Sequence, residues 1–226
     1  MPPPTFTAIE AQPTKDEQVY AQIRRAIIEG NVQPGQELPV ATVAVQLGVS
    51  RIPVMRACQR LIGEGFLDVN TRRNMVVVPL TEERVTEELS LLNDLECMAV
   101  REALRAPDPD IPERWRRLNQ VLAQAIASGE GTARVQANVQ FHAALWDSLR
   151  SPYVRNLVAL VWDHLEPARA FASTAGPWDR SVSVREHEAI IQAVEAGDAT
   201  AAQAAVRNHR QRTVDRVLAV LRARSP

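Results

Sequence analysis

The spacing of apolar residues changes character twice along the chain. Behind Thr14, with Glu17 three positions on in the arrangement of a capping box, Val19, Ile23, Ala26 and Ile27 recur at helical spacing until Gly30 ends the run. Pro34-Gly35 marks a turn. A short helix is predicted from Val40 to Leu47, stopped by Gly48. A third begins at a Ser50 cap and runs to Gly63, with Pro53 in its first turn, where a missing N–H costs little. After Gly65 the period becomes that of strands. Phe66–Val69 and Met75–Val78 flank the polar, basic stretch Asn70–Asn74, which predicts a hairpin. Three helices followed by a two-stranded hairpin is the plan of a winged helix-turn-helix.

From Glu82 onward no strand pattern recurs. Six helical segments are predicted, at about 82–105, 111–127, 132–149, 152–172, 180–196 and 199–223. Pro107/Pro109/Pro112, Gly129/Gly131, Ser151-Pro152, Gly176-Pro177 and Gly197-Asp198 separate them. The expected fold class is therefore mainly α: an N-terminal winged helix-turn-helix, then an all-α helical bundle. The expected domains are a flexible, proline-rich tail at 1–13, the winged domain at 14–80 and the helical domain at 81–226.

Composition agrees with packed helices. Aromatic residues make up only 4% of the chain while 46% is hydrophobic. The net charge of -1 announces no polyanion partner, but residues 15–80 carry 8 Lys+Arg against 6 Asp+Glu, and residues 81–226 carry 18 against 20. This mild asymmetry permits a nucleic-acid-binding N-terminal part. Cys58 and Cys97 form no CxxC pattern and are expected to be buried free thiols. The start lacks the basic and apolar regions of a signal peptide, and no apolar run is long enough for a bilayer, so the expected compartment is the cytoplasm and no membrane partner is expected.

The candidate chemistry of the first part lies in Ser50-Arg51-Ile52-Pro53-Val54-Met55-Arg56. A recognition helix presents its N-terminal residues to base edges in the major groove, and its free N–H groups favour a nearby phosphate. Ser50 and Arg51 open this helix, and Arg56 and Arg60 follow. Arginine reaches guanine O6/N7 bidentately or grips phosphate. Arg72 and Arg73, in the wing, are placed for flanking backbone or minor groove. Any one of these arginines is ordinary surface; as a set on this scaffold they point to double-stranded DNA.

Residues 15–80 resemble the GntR superfamily of bacterial regulators. The resemblance rests on Gly30-Asn31-Val32-Gln33-Pro34-Gly35, Leu38, Leu47-Gly48-Val49-Ser50-Arg51-Ile52-Pro53-Val54, Leu61, Glu64-Gly65 and Leu67. There are departures. Met55-Arg56 stands for the usual Arg-Glu, Ile52 for Thr, Val40 for an acidic residue, and Asn74, which tolerates positive φ, for the wing glycine. Where family members read a guanine with the arginine that Met55 replaces, the resemblance implies an unusual operator, with Arg56, about 100° further around the helix, as the candidate substitute.

The second part holds four histidines, His142, His164, His187 and His209. Asn138 and His142 share a helix face, and a bundle interior can assemble a metal or small-anion site from several helices. Singly, each histidine is more often structural, His164 most of all. Residues 84–222 resemble the FCD ligand-binding domain of the FadR-like branch. Leu95-Glu96, Asn138-x-x-Phe141-His142, Arg185-Glu186-His187, Gly197-Asp198-x-x-x-Ala202 and His209 carry this likeness. The resemblance implies a zinc- or nickel-like ion held by Asn138, His142, His187 and His209, with Asn138 replacing the acidic ligand by a neutral oxygen. It also implies a carboxylate effector. Leu92 stands where relatives carry an arginine, so Arg101, Arg134 and Arg169 are the candidate replacements.

The resulting expectation is a homodimeric DNA-binding transcription regulator, working as a repressor on a palindromic operator, with an effector in the helical domain shifting its affinity. The rival readings are a regulator for which the ion itself is the signal, and a helical metal-dependent hydrolase. Against the hydrolase, no general base is evident, since Glu186 and Glu188 point about 100° away from His187 around the helix. The chain is therefore not expected to be an enzyme.

Overall fold

A computed structural model describes residues 14–105, 108, 110–174 and 179–223, with side chains described outside 170–174. The expected tail at 1–13 and the breaks at Pro107, Pro109 and Gly176-Pro177 lie outside the described residues. The chain divides into two compact units, Met1–Pro79 and Leu80–Pro226.

In the first unit, α1 spans Lys15–Ile28, α2 Val40–Gln46 and α3 Arg51–Gly63. The capping box at the head of α1 is complete: the Thr14 N–H donates to Glu17 Oε2 at 2.6 Å, and the Glu17 N–H donates to Thr14 Oγ1 at 3.3 Å. Val19, Ile23 and Ile27 form one buried stripe, packed on the α3 stripe of Val54, Ala57, Cys58 and Leu61. Gly48, with φ 64°, makes the turn between α2 and α3.

Strands β1, Leu67–Val69, and β2, Met75–Val77, pair antiparallel with Leu67 opposite Val77. Residues 35–38 join them as a third rail, through Gly35 N–H to Val77 O at 2.8 Å and Leu38 N–H to Met75 O at 2.8 Å. At the wing tip the left-handed residue is Arg73, φ 62°, and not Asn74 as the missing glycine suggested. Asn74 is used differently. Its amide and that of Asn70 both donate to the Glu37 carboxylate, at 3.0 and 2.7 Å, which ties the tip to the third rail.

The second unit is all helix among the described residues: α4 Glu82–Arg105, α5 Asp110–Ala127, α6 Gly131–Trp146, α7 Pro152–Thr174, α8 Ser181–Glu195 and α9 Ala199–Arg222. α4 packs on α9 and α7, while α8 packs on α9 and α5, and α5 on α6. The core between them holds Leu89, Leu92, Trp115, Phe141, Leu145, Leu165, Ile190 and Ile191. α6 stops three residues before the expected 149, because Ser148 and Leu149 bond back to Leu145 and Trp146 in a tighter turn. Asp198 caps α9 through the N–H groups of Thr200 and Ala201. No described helix is long and apolar enough to cross a membrane.

Candidate functional site

The outer face of α3 follows from its buried one. With Pro53, Val54, Ala57, Cys58 and Leu61 inward, Arg51, Ile52, Met55, Arg56, Gln59 and Arg60 are left outward. Ser50 occupies the cap position in extended geometry, but its hydroxyl makes no capping bond, contrary to its expected role. The α3 cap is thus a geometric stop only. The exposed arginines differ in freedom. Arg56 pairs with Asp16 at 2.8 Å. Arg60 is drawn back onto α1: Nε is 3.0 Å from Glu64 and the guanidinium lies 3.7 Å from the Tyr20 ring centre. Tyr20 in turn donates to Glu64 at 2.7 Å. Arg72 and Arg73 stand exposed at the wing tip.

Deep in the second unit, α6, α8 and α9 bring His142, His187 and His209 together, all buried, with one ligand-capable atom of each within 4.8 Å of the others. Each ring is oriented from behind through Nδ1. His142 meets Glu96 Oε1 of α4 at 3.0 Å, His187 meets Asn119 Oδ1 of α5 at 3.2 Å, and His209 meets Glu186 Oε2 of α8 at 2.9 Å. An oxygen acceptor fixes the tautomer with hydrogen on Nδ1, leaving the Nε2 lone pair of each ring for another partner. His187 Nε2 is fully buried with no hydrogen-bond partner among the described residues. Phe141 stacks flat on His187, 3.8 Å between centroids, which holds that ring in place.

Glu96 is the hub of this outer shell. Besides His142 it accepts Trp146 Nε1 at 3.1 Å, and both its oxygens receive the guanidinium of Arg210 from α9. Arg210 Nη2 also lies 2.9 Å from His142 Nδ1, a close approach and not a hydrogen bond, since Nδ1 carries the hydrogen given to Glu96. Burial alone would raise the Glu96 pKa, but Arg210 and His142 outweigh it and hold the carboxyl far below its usual range. Burial, followed by the charge of Arg210, lowers His142 to about 3. His187 and His209 are lowered as well, first by burial. Three neutral imidazoles are what divalent-ion ligation requires. A buried, unpartnered nitrogen beside two further imidazoles, each braced by an acceptor, is a donor set that fits a zinc-class ion.

Two sequence matches bear on these sites. Residues 15–77 match the family described as bacterial regulatory proteins, gntR family, and residues 88–212 match the FCD domain. The chain belongs to the GntR family of regulators and carries an FCD domain. It is 28% identical over 193 residues to the uncharacterized HTH-type transcriptional regulator YdhC of Bacillus subtilis, covering 85% of this chain and 86% of that one. It is 24% identical over 210 residues to the repressor RspR of Escherichia coli, covering 87% and 86%. The solved structure of E. coli McbR superposes with a TM-score of 0.76 at 21% identity, over 92% of this chain and 99% of the other, and so shares the fold. The two sequence relatives are named as an HTH-type transcriptional regulator and an HTH-type transcriptional repressor.

The remaining candidate residues of the FCD domain are distributed unevenly. Asn138 is half-buried one turn before His142 on α6. His164 lies outside the triad and bonds Glu88 at 3.3 Å. Arg169 lies on the Trp162 ring at 3.6 Å, next to His142, and its Nη1 is buried without a partner among the described residues. Arg134 Nε is likewise buried and unpartnered, and the Arg134 pKa is lowered first by burial, then by Arg180 and Arg216. Arg101 is exposed, about 140° around α4 from Glu96. A cleft of about 380 Å³ bordered by Ser183, Glu186, His209, Thr213 and Arg216 leads to His209.

Glu186 has a partner that the helix-face geometry of α8 alone does not reveal. Its side chain does point away from His187, yet it meets His209 of the next helix. Asn119 and Arg210 were missed altogether. For Arg210 a signal was available: it falls in the apolar stripe Val206, Thr213, Val217 and Val220 of α9, where a cation stays only with a buried counter-charge.

Proposed function

We propose that this GntR-family regulator is a homodimeric repressor whose operator affinity is set by a carboxylate effector bound beside a divalent ion in the FCD domain. The observation that carries the reading is the triad of imidazoles, each held through Nδ1 by an outer acceptor, with Nε2 left for an ion. His142, His187 and His209, with Asn138, would hold zinc or nickel. Such an ion would supply a positive charge that fixes a carboxylate. Because all these protein ligands are neutral, nothing in that set offsets the ion's charge, which favours an anionic effector. Arg134, half-buried with an unpartnered Nε, is the residue best suited to a second anionic end, while Arg169 keeps one unpartnered nitrogen, Nη1, but is already paired with Glu166 at 2.6 Å.

On the DNA side, Ser50, Arg51, Ile52, Met55 and Arg56 would enter the major groove, with Arg72 and Arg73 at the flanking backbone. Arg60 is assigned to bracing α3 on α1. Two copies related by a two-fold axis would demand a palindromic operator. The name of the relative RspR supports repression as the sign of control.

The test joins metal analysis to operator binding. Purified protein is expected to carry close to stoichiometric zinc or nickel, and His142→Ala to lose it. Titrating small carboxylates should weaken operator binding by the metal-loaded protein and not by the His142→Ala variant. Metal-free protein with undiminished carboxylate response would overturn the metal part. Operator affinity that answers to chelation with no organic ligand would make the ion itself the signal.

A further inference from the structure

The outer face of α3 is unusual for a helix that meets a polyanion, because apolar side chains occupy it near the helix start. Ile52 is 65% exposed and Met55 41%. They are three residues apart and so share one face. At 100° per residue, the direction opposite the buried stripe runs through Ile52 and Gln59, with Met55 and Arg56 on either side. Arg51 lies at one edge of this face, and Arg56 is held by Asp16 at 2.8 Å. The part of the helix that would sit deepest in a major groove is therefore a small apolar surface with cations around it.

We propose that Ile52 and Met55 read thymine methyl groups, so that the operator core is marked by T·A pairs at the positions these two side chains meet. The thymine 5-methyl is the one apolar group that base edges present in the major groove. Ile52 is β-branched and stiff at χ1, so it can select by shape. Neither side chain can donate to guanine O6 or N7. A G·C pair placed against them would have those acceptors stripped of water and left unpaired, which costs more than a lost contact. Attraction to the methyl and rejection of guanine thus act in the same direction.

This inference rests on α3 being the groove-entering helix. Duplexes are selected from a randomised library by the full-length protein. Each thymine of the selected site is then replaced in turn by deoxyuridine, which removes only the methyl. Loss of one buried methyl is expected to weaken binding about fourfold at one or more positions in each half-site. Ile52→Ala or Met55→Ala should abolish that sensitivity, and Met55→Arg should shift selection toward guanine. If deoxyuridine is silent at every position while Ile52→Ala still weakens binding, α3 reads the groove without reading methyls, and the proposal falls. If Arg51→Ala, Ile52→Ala and Met55→Ala all leave affinity unchanged, the assignment of α3 falls with it.

Discussion

Glu96 lies in a helix stripe otherwise made of Val85, Leu89, Leu92, Val100 and Ala103, and it is as buried as they are. A carboxylate survives there because Arg210, equally buried, takes both its oxygens, and because His142 and Trp146 use what remains. Removing one partner strands the other. Arg210→Ala is expected to destabilise the FCD domain by about 3–5 kcal/mol, read from urea unfolding followed by tryptophan fluorescence. Replacing the pair together, as Glu96→Gln with Arg210→Met, should cost clearly less than the single change. An additive loss would show that the two side chains do not act as a pair.

The histidines give the pH dependence of the metal-free protein. His142 has an ordinary value of 6.5 and a folded value of about 3, so below pH 6.5 the unfolded chain takes up a proton that the folded chain refuses. Stability is therefore complete above about pH 6.5 and falls as pH drops, by up to about 1.4 kcal/mol per pH unit for each such group. His187 and His209 act in the same direction. The Glu96 contribution begins to be lost only nearer its ordinary value of 4.5, so the interval between belongs to the imidazoles. Chelator-treated protein should show a lower urea midpoint at pH 5.5 than at pH 7.5. An equal or higher midpoint at pH 5.5 would mean that the rings are not buried in neutral form.

Whole elements were legible in the sequence because their determinants are local. α1 was announced by one capping box and one stripe, and both are present. Thr14→Ala should remove about 1 kcal/mol of support, so amide exchange across α1 should rise about fivefold, while Thr14→Ser should restore the slow rate. No change in exchange would mean that packing on α3 alone holds the helix start. Ser50 shows where local reading stops. Its position as a cap was legible, but the side-chain bond that usually accompanies it is missing. The wing is a second case, since a Glu37 carboxylate thirty-seven residues before Asn74 decides how that amide is used. The site divides on the same principle. Three histidines could be nominated from spacing and likeness, whereas Asn119, Glu186 and Arg210 act on rings carried by other helices, and only the packing of α5, α6, α8 and α9 brings them into reach.

At the scale of the molecule, reader and sensor are separate compact units, 1–79 and 80–226, so communication between them must appear as a coupling free energy between two ligands. That coupling is reciprocal by thermodynamic necessity. If an effector carboxylate lowers operator affinity tenfold, operator DNA must lower effector affinity tenfold, whatever the structural route. Titration calorimetry of the effector with and without saturating operator duplex measures the second factor; operator titration with and without effector measures the first. The two are expected to agree within error for the metal-loaded protein, and both should fall to unity for His142→Ala if the ion is the effector's anchor. Salt provides the control. Raising it should weaken operator binding steeply, since phosphate contacts release counterions, while leaving effector affinity in a buried centre little changed. Unequal factors would mean that the effector acts on something other than the DNA-bound state, such as subunit association, and the two-ligand linkage would then have to include it.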